Sequence, residues 1–298
     1  MSLNNVAVDP AATARDPGNR LINWSRSEFL LAPSLVYYFV FLILPSVTFC
    51  AVSFYGMSSS GFHDGVFTLN NYLATLRDEF YLSSLWLTLS ISLQTTAFCL
   101  LLGYPPAYWL SRRSPSARKK LIILLLFPLL LSTVVRVYGW IALLGSRGIA
   151  NQLLISWGIT EHPLPLLYSE ATVLIGLTSI LLPYMIINIT NTLITIDPVL
   201  REAAAAHGAS PVRVFLNVTL PLSRAGIVSG AVIVFTIAMS TYIISFLLGG
   251  PRVKLLGNLI FDATSSFNWP SAAALSVILV LATTACCGTL MQILGRNS

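Results

Sequence analysis

Six apolar runs, at about residues 29–55, 83–110, 121–145, 170–194, 227–249 and 271–295, dominate this chain. Each has the roughly 20 residues that a helix needs to cross a hydrocarbon core of about 30 Å. In hydrocarbon every peptide N–H and C=O must find its partner inside the protein, so such runs fold as helices. The expected fold is therefore an all-α integral membrane protein of six transmembrane helices. Composition agrees: 55% of the 298 residues are hydrophobic and 9% are charged, against about 25% charged in a soluble domain. Residues 1–28 read as a polar cytoplasmic tail without a cleavable signal peptide, and 296–298 as a short C-terminal end. Pro33, Pro45, Pro105, Pro106, Pro128 and Pro183 fall within the runs and predict kinks.

The cations choose the orientation. With the N-terminus inside, the inner segments carry Arg15, Arg20, Arg26, Arg112, Arg113, Arg118, Lys119, Lys120, Arg201, Arg213, Arg224 and Arg296. The outer segments carry only Arg77, Arg147, Arg252 and Lys254. That bias places both termini in the cytoplasm. It also accounts for the net charge of +6 without a nucleic-acid partner. Tyr104, Tyr108 and Trp109 at the inner end of the second run, and Tyr81 and Trp86 at its outer end, read as an aromatic belt in membrane lipid.

The loop at 195–226, between runs four and five, is strongly punctuated. Asp197-Pro198 is a cap followed by a proline at the first helical position, and Arg201 to His207 is Ala-rich. Gly208 is suited to end that helix in a left-handed conformation, and Ser210-Pro211 starts a second helix expected to run to about Leu220. The expectation is helix, sharp bend, helix. A short helix with a smooth Ala face fits a groove on another protein, and an ordinary inter-helix loop is the plainer alternative.

Glu202-Ala203-Ala204, three residues, Gly208, nine residues, then Val218-Thr219-Leu220-Pro221 resembles the EAA loop of bacterial ABC-importer permeases. The family pattern has Ile where Val218 stands, and Pro-Gly-Ile where this chain has Ala225-Gly226-Ile227. The resemblance implies a coupling helix docking into an ATP-hydrolysing subunit, with Glu202, Ala203, Ala204, Gly208, Leu220 and Pro221 shaping the contact. It also implies a multi-pass permease domain over 29–295 in a bacterial inner membrane, paired with a second, homologous permease chain. Solute would arrive on a periplasmic binding protein, and ATP and Mg would be bound by the partner ATPase. Val134–Leu154 and Leu247–Ala273 resemble segments of the spermidine/putrescine-type branch, which implies a polyamine as solute, with an opine or amino-acid derivative as the alternative.

Other chemistry is sparse. His63, His162 and His207 all fall in loops and no Asp lies within a run, which excludes an intramembrane hydrolase. Cys50, Cys99, Cys286 and Cys287 lie in apolar runs without metal-ligand spacing, so no metal site is expected. Lys119, Lys120 and Lys254 are the only lysines and none follows a glycine, so no phosphate-binding loop is present and no cofactor is expected. An ion-coupled carrier needs ionisable groups along its path; the runs contain one well away from an end, Arg136. At that depth a cation faces a cavity or partner, or snorkels outward. Asp262 and Glu170 are its candidate partners. The tentative solute path is Arg136, Tyr138, Trp140, Ser240, Tyr242 and Asp262. The segment Lys254 to Ala263 is expected to form a short helix that either dips back to cap an outer gate or is an ordinary loop.

Overall fold

The computed structural model describes residues 33–57 and 63–295. The expected tail 1–28 and the C-terminal end 296–298 lie outside the described residues. The chain divides into two units, 1–51 and 52–298.

The first unit holds helix α1 (Pro33–Val52), about 30 Å long at 1.5 Å per residue. Its turn Phe39–Ile43 is π-helical, and the Leu44 N–H reaches back to Phe39 O. The cause sits one residue on. Pro45 has no N–H to give and its ring crowds the carbonyl four residues earlier, which a wider turn relieves. Ser46 and Thr48 return their hydroxyls to Leu42 O (2.6 Å) and Leu44 O (2.8 Å), so neither presents an open polar group.

The second unit opens with an antiparallel hairpin, β1 (Tyr55–Met57) and β2 (His63–Phe67), followed by α2 (Asn70–Arg77). Helix α3 (Glu79–Ser111) begins where Asp78 accepts the Phe80 N–H at 2.9 Å and runs unbroken through Pro105 and Pro106. At 33 residues it is about 50 Å long, well beyond the hydrocarbon thickness. Its buried face is a ladder of small residues at steps of three or four: Ser84, Thr88, Ser92, Thr95, Cys99, Gly103 and Ala107. That ladder packs on α7 (Glu170–Thr195), the most enclosed helix, whose Val173, Leu177, Leu181, Met185, Ile189 and Leu193 are buried. Helix α10 (Arg224–Ser240) closes on both, and α12 (Trp269–Gly295) packs against α10.

Among the described residues four helices are long and apolar enough to cross a membrane: α1, α3, α7 and α12 (its stretch to Ile293). Runs three and five differ from the uninterrupted helices expected of them. Run three is split into α4 (Pro115–Leu126), a 3-10 turn Phe127–Leu130 containing Pro128, and α5 (Thr133–Leu144), with an 85° bend between the two arms. Pro128 lacks the N–H that an α-helix would return to the carbonyl four residues earlier, the chain tightens to 3-10 there, and the bend follows at the extended Leu131. Helix α6 (Ile149–Ser156) follows. Run five ends as a helix at Ser240, is extended at Thr241, and resumes as a π turn Ser245–Gly249.

Glycines set the closest approaches. A Cβ at Gly226 would lie 2.5 Å from Thr192 Oγ1 and 2.9 Å from the Asn188 carbonyl, and one at Gly230 would lie 2.7 Å from Met185 Sδ. At Gly139 a Cβ would meet nothing within 4 Å. Gly226→Ala is therefore expected to lower stability by about 1–3 kcal/mol through overpacking. Gly139→Ala serves as the neutral control, and a thermal melt of the purified protein separates the two.

Candidate functional site

The loop after α7 forms a helix–bend–helix, as expected. Asp197 caps α8 (Pro198–Ala206) by accepting the Val199 N–H at 2.9 Å. The far end closes as a Schellman turn. The Ala209 N–H returns to Ala204 O (3.2 Å) and the Gly208 N–H to Ala205 O (2.9 Å), with Gly208 at φ +81°. That φ is where an L side chain is disfavoured. Ser210 then caps α9 (Pro211–Leu222), accepting the Arg213 N–H at 3.4 Å.

Helix α9 contains a π turn, Phe215–Thr219, and Leu220 N–H bonds Phe215 O just before Pro221. This repeats the Leu-Pro geometry of α1, and it gives Leu220 and Pro221 a physical task. The wider turn brings Phe215 edge-on to both Tyr104 and Tyr108 of α3, at centroid distances of 5.6 and 5.5 Å. Tyr104 and Ser223 hydroxyls share a 2.9 Å hydrogen bond. The belt assignment of Tyr104 and Tyr108 thus needs amending: they clamp α9 to the end of α3. Thr219 is buried, Leu220 packs on the core, and α10 departs at 60° from α9.

Helix α8 stays open. Glu202 and Ala203 are exposed and Ala204 is half-buried, while Val199 and Val212 are 60% and 67% exposed. Between α8, α9 and the end of α3 lies a cleft of about 690 Å³ bordered by Arg112, Arg201, Glu202, Ala205 and Phe215. An apolar surface with a carboxylate and two guanidiniums at its rim has the chemistry of a protein-docking face.

A second cavity, about 300 Å³, opens beside the break in run five. Thr133, Arg136, Tyr184, Ser240, Thr241 and Tyr242 supply its polar lining, and Ile180, Leu181 and Ile237 its apolar wall. Arg136 Nε is buried without a hydrogen-bond partner, and one Nη lies 3.4 Å from Thr133 Oγ1. Among the described residues Arg136 has no carboxylate within ion-pair distance. Asp262 is bonded instead to Lys254 at 2.7 Å. The tentative path is therefore divided. Arg136, Ser240 and Tyr242 come together, whereas Asp262 does not reach Arg136. Trp140 donates to Ser179 at 3.0 Å, tying α5 to α7, and Tyr138 is exposed; neither lines the cavity. Tyr184 was not among the expected residues, because a tyrosine within an apolar run gives no sign of which way it faces. Its position right after Pro183 was the available signal.

The segment after Gly250 does fold back. Helix α11 (Leu256–Ser265) sets Gly257 against the Thr241 carbonyl, 3.2 Å from where a Cβ would lie, and stacks Phe261 on Tyr242 at 4.9 Å. Its start is pinned by the Leu256 N–H on Thr88 Oγ1 (2.8 Å), and buried Asn258 accepts from Ser245 at 2.5 Å. The break is thus held by a helix packed directly over it.

The family model described as "binding-protein-dependent transport system inner membrane component" matches residues 24–297. The chain is 35% identical over 263 residues to the spermidine/putrescine transport system permease protein PotB of Haemophilus influenzae, covering 88% of this chain and 92% of that protein. It is 33% identical over 243 residues to PotB of Escherichia coli, covering 81% and 88%. In fold it is similar to a chain of a bacterial ABC transporter involved in the import of the acidic polysaccharide alginate. There the TM-score is 0.71 at 18% identity, over 93% of this chain and 99% of that one.

Thr88→Val keeps the side-chain volume but leaves the Leu256 N–H buried and unpaired, a loss of about 1–3 kcal/mol. The expected result is faster hydrogen–deuterium exchange confined to α11, with α3 and α7 unchanged.

Proposed function

The chain belongs to the family of binding-protein-dependent transport system inner membrane components, and from that premise we propose that it lines the path of an ATP-driven polyamine importer. It is a multi-pass inner-membrane transport subunit and not an enzyme; hydrolysis belongs to a separate chain. In this reading α1, α3, the α4–α5 pair, α7, α10 with its π turn, and α12 are the six spans. Both termini and the loop 195–226 are cytoplasmic, following the Lys and Arg bias. A second permease chain completes the path, a periplasmic binding protein delivers the solute, and the partner ATPase binds ATP and Mg.

One observation carries the coupling: exposed α8 is rigidly joined to a helix that leads to the cavity. The Schellman turn at Gly208 fixes α8 to α9, the Tyr104–Phe215–Tyr108 clamp holds α9 to α3, and α10 runs on from Ser223 to the break at Thr241. Closure of the ATPase subunits on Glu202, Ala203 and Ala204 would move α9 and α10 as a lever and change the packing of Tyr242 beside α11. Alternating access by shear of packed helices has this form. The polyamine assignment rests on the PotB relatives; Tyr184 and Tyr242 offer aromatic faces to a cation.

Arg136 favours a second reading. Two like unit charges about 4 Å apart repel by about 4 kcal/mol at an effective dielectric of 20, so an unpaired guanidinium suits a carboxylate-bearing solute such as an opine better than a polycation.

The test is ATP hydrolysis by the reconstituted complex, with binding protein loaded in turn with spermidine, putrescine and amino-acid derivatives. Stimulation by the polyamines is expected. Stimulation by a carboxylate-bearing solute alone would retire the polyamine assignment and make Arg136 its contact. Gly208→Pro and Ala204→Trp are expected to abolish uptake while leaving membrane insertion intact, because each reshapes the α8 turn or its packing; normal uptake by either removes the coupling role.

A further inference from the structure

The corner between α3 and α4 is strongly basic, and no carboxylate among the described residues pairs with it. Arg113, Arg118, Lys119 and Lys120 fall within eight residues, and the sequence contains no Asp or Glu between Glu79 and Glu161. Among the described residues the one ion pair within 4 Å is Lys254–Asp262, which does not involve this corner. Arg112 instead borders the cleft shared with Glu202, the docking face proposed above.

The remaining cations are held in order. The Arg113 guanidinium stacks over Trp109, 4.1 Å from the ring centroid. Arg118 Nη1 donates to Ser111 O at 3.3 Å and ties the start of α4 to the end of α3. Lys119 and Lys120 are exposed. One helical turn further along the same face stand Ile123 and Leu124, 59% and 68% exposed, followed by Phe127 at 59%. Leu121, Ile122 and Leu125 occupy the opposite side and pack on the core. The outward face of α4 therefore changes from two ammonium groups to a bare aliphatic surface within about 6 Å. Trp109, 48% exposed, marks an interfacial depth on the neighbouring helix.

We propose that this corner is a binding site for an anionic phospholipid, whose phosphate is held by Arg113, Lys119 and Lys120 and whose acyl chain lies along Ile123, Leu124 and Phe127. The charge and apolar surface follow one another in the order of a headgroup and its chain. A free phosphate would use only the cations, and an acidic protein surface would leave the aliphatic strip uncovered. The α4–α5 pair is the bent span, and a lipid clamped at its basic end would brace the arm whose Leu121, Ile122 and Leu125 pack on the core. The corner's place at the inner leaflet rests on the orientation proposed above. Lipid retention and transport are separate readouts, so loss of uptake with lipid still bound counts against the transport reading alone.

Native mass spectrometry of the purified complex is expected to show co-purified phosphatidylglycerol or cardiolipin. In Arg113→Gln/Lys119→Gln/Lys120→Gln retention should fall by about fivefold for each cation removed, whereas Lys119→Arg/Lys120→Arg should retain lipid. Melting in phosphatidylcholine discs should be the same for wild type and the triple variant, and phosphatidylglycerol should raise only the wild type. Undiminished lipid in the triple variant overturns the site. Stabilisation by inorganic phosphate in phosphatidylcholine discs equal to that by phosphatidylglycerol overturns the lipid in favour of a free anion. Loss of the ATPase subunit from the triple variant with lipid unchanged assigns the corner to protein docking instead.

Discussion

A peptide N–H or C=O left unpaired in hydrocarbon carries a penalty of several kcal/mol, and this constraint decides where the helices can be interrupted. Two of the interruptions are covered by packed polar partners. The break after Ser240 is overlain by α11, with Gly257 against the Thr241 carbonyl and Thr88 taking the Leu256 N–H. The turn after α5 is held by Asn151, buried, which donates to Gly145 O and Leu164 O at 3.0 Å and accepts the Leu164 N–H at 2.8 Å. Asn151 and Asn258, the two buried amides among the described residues, both serve irregular backbone or its neighbours.

The same constraint gives prolines different outcomes: α3 and α7 run on through Pro105, Pro106 and Pro183, while three others reshape the turn around them. Before Pro45 and Pro221 the helix widens into a π turn and continues; around Pro128 it tightens to 3-10 and bends after Leu130. The π turn before Pro221 swings Phe215 between Tyr104 and Tyr108. A motif position that looks like a helix breaker is thus the means by which the loop is joined to the membrane core. The small-residue ladder of α3 and the glycines at 226 and 230 complete that joint, because close backbone approach replaces the hydrophobic drive that lipid removes.

The arrangement makes one mechanical path of what the sequence presents as separate segments. α8 is exposed, its turn is closed by two backbone hydrogen bonds, α9 packs on Tyr104 and Tyr108, and α10 ends at the cavity lined by Arg136, Tyr184 and Tyr242. The aromatic stack of Tyr242 on Phe261 lies at the far end of this series of packed contacts.

Sequence alone determined the helical class, the apolar runs that became α1, α3, α7 and α12, and the caps and Gly208 bend of the loop. These rest on local physics: run length against bilayer thickness, a carboxylate or hydroxyl before a proline, and one left-handed residue. Tertiary structure alone decided which way side chains face and which segments meet. Trp140 was expected in the path and binds Ser179 instead. Asp262 was a candidate for Arg136 and took Lys254, eight residues away on the same outer segment. Tyr104 and Tyr108 read as belt residues until Phe215, more than 100 residues on, was placed between them. A helix of uniformly apolar residues has no hydrophobic stripe to mark its buried side, so facing is set by the fit of neighbours and is not written in any one segment.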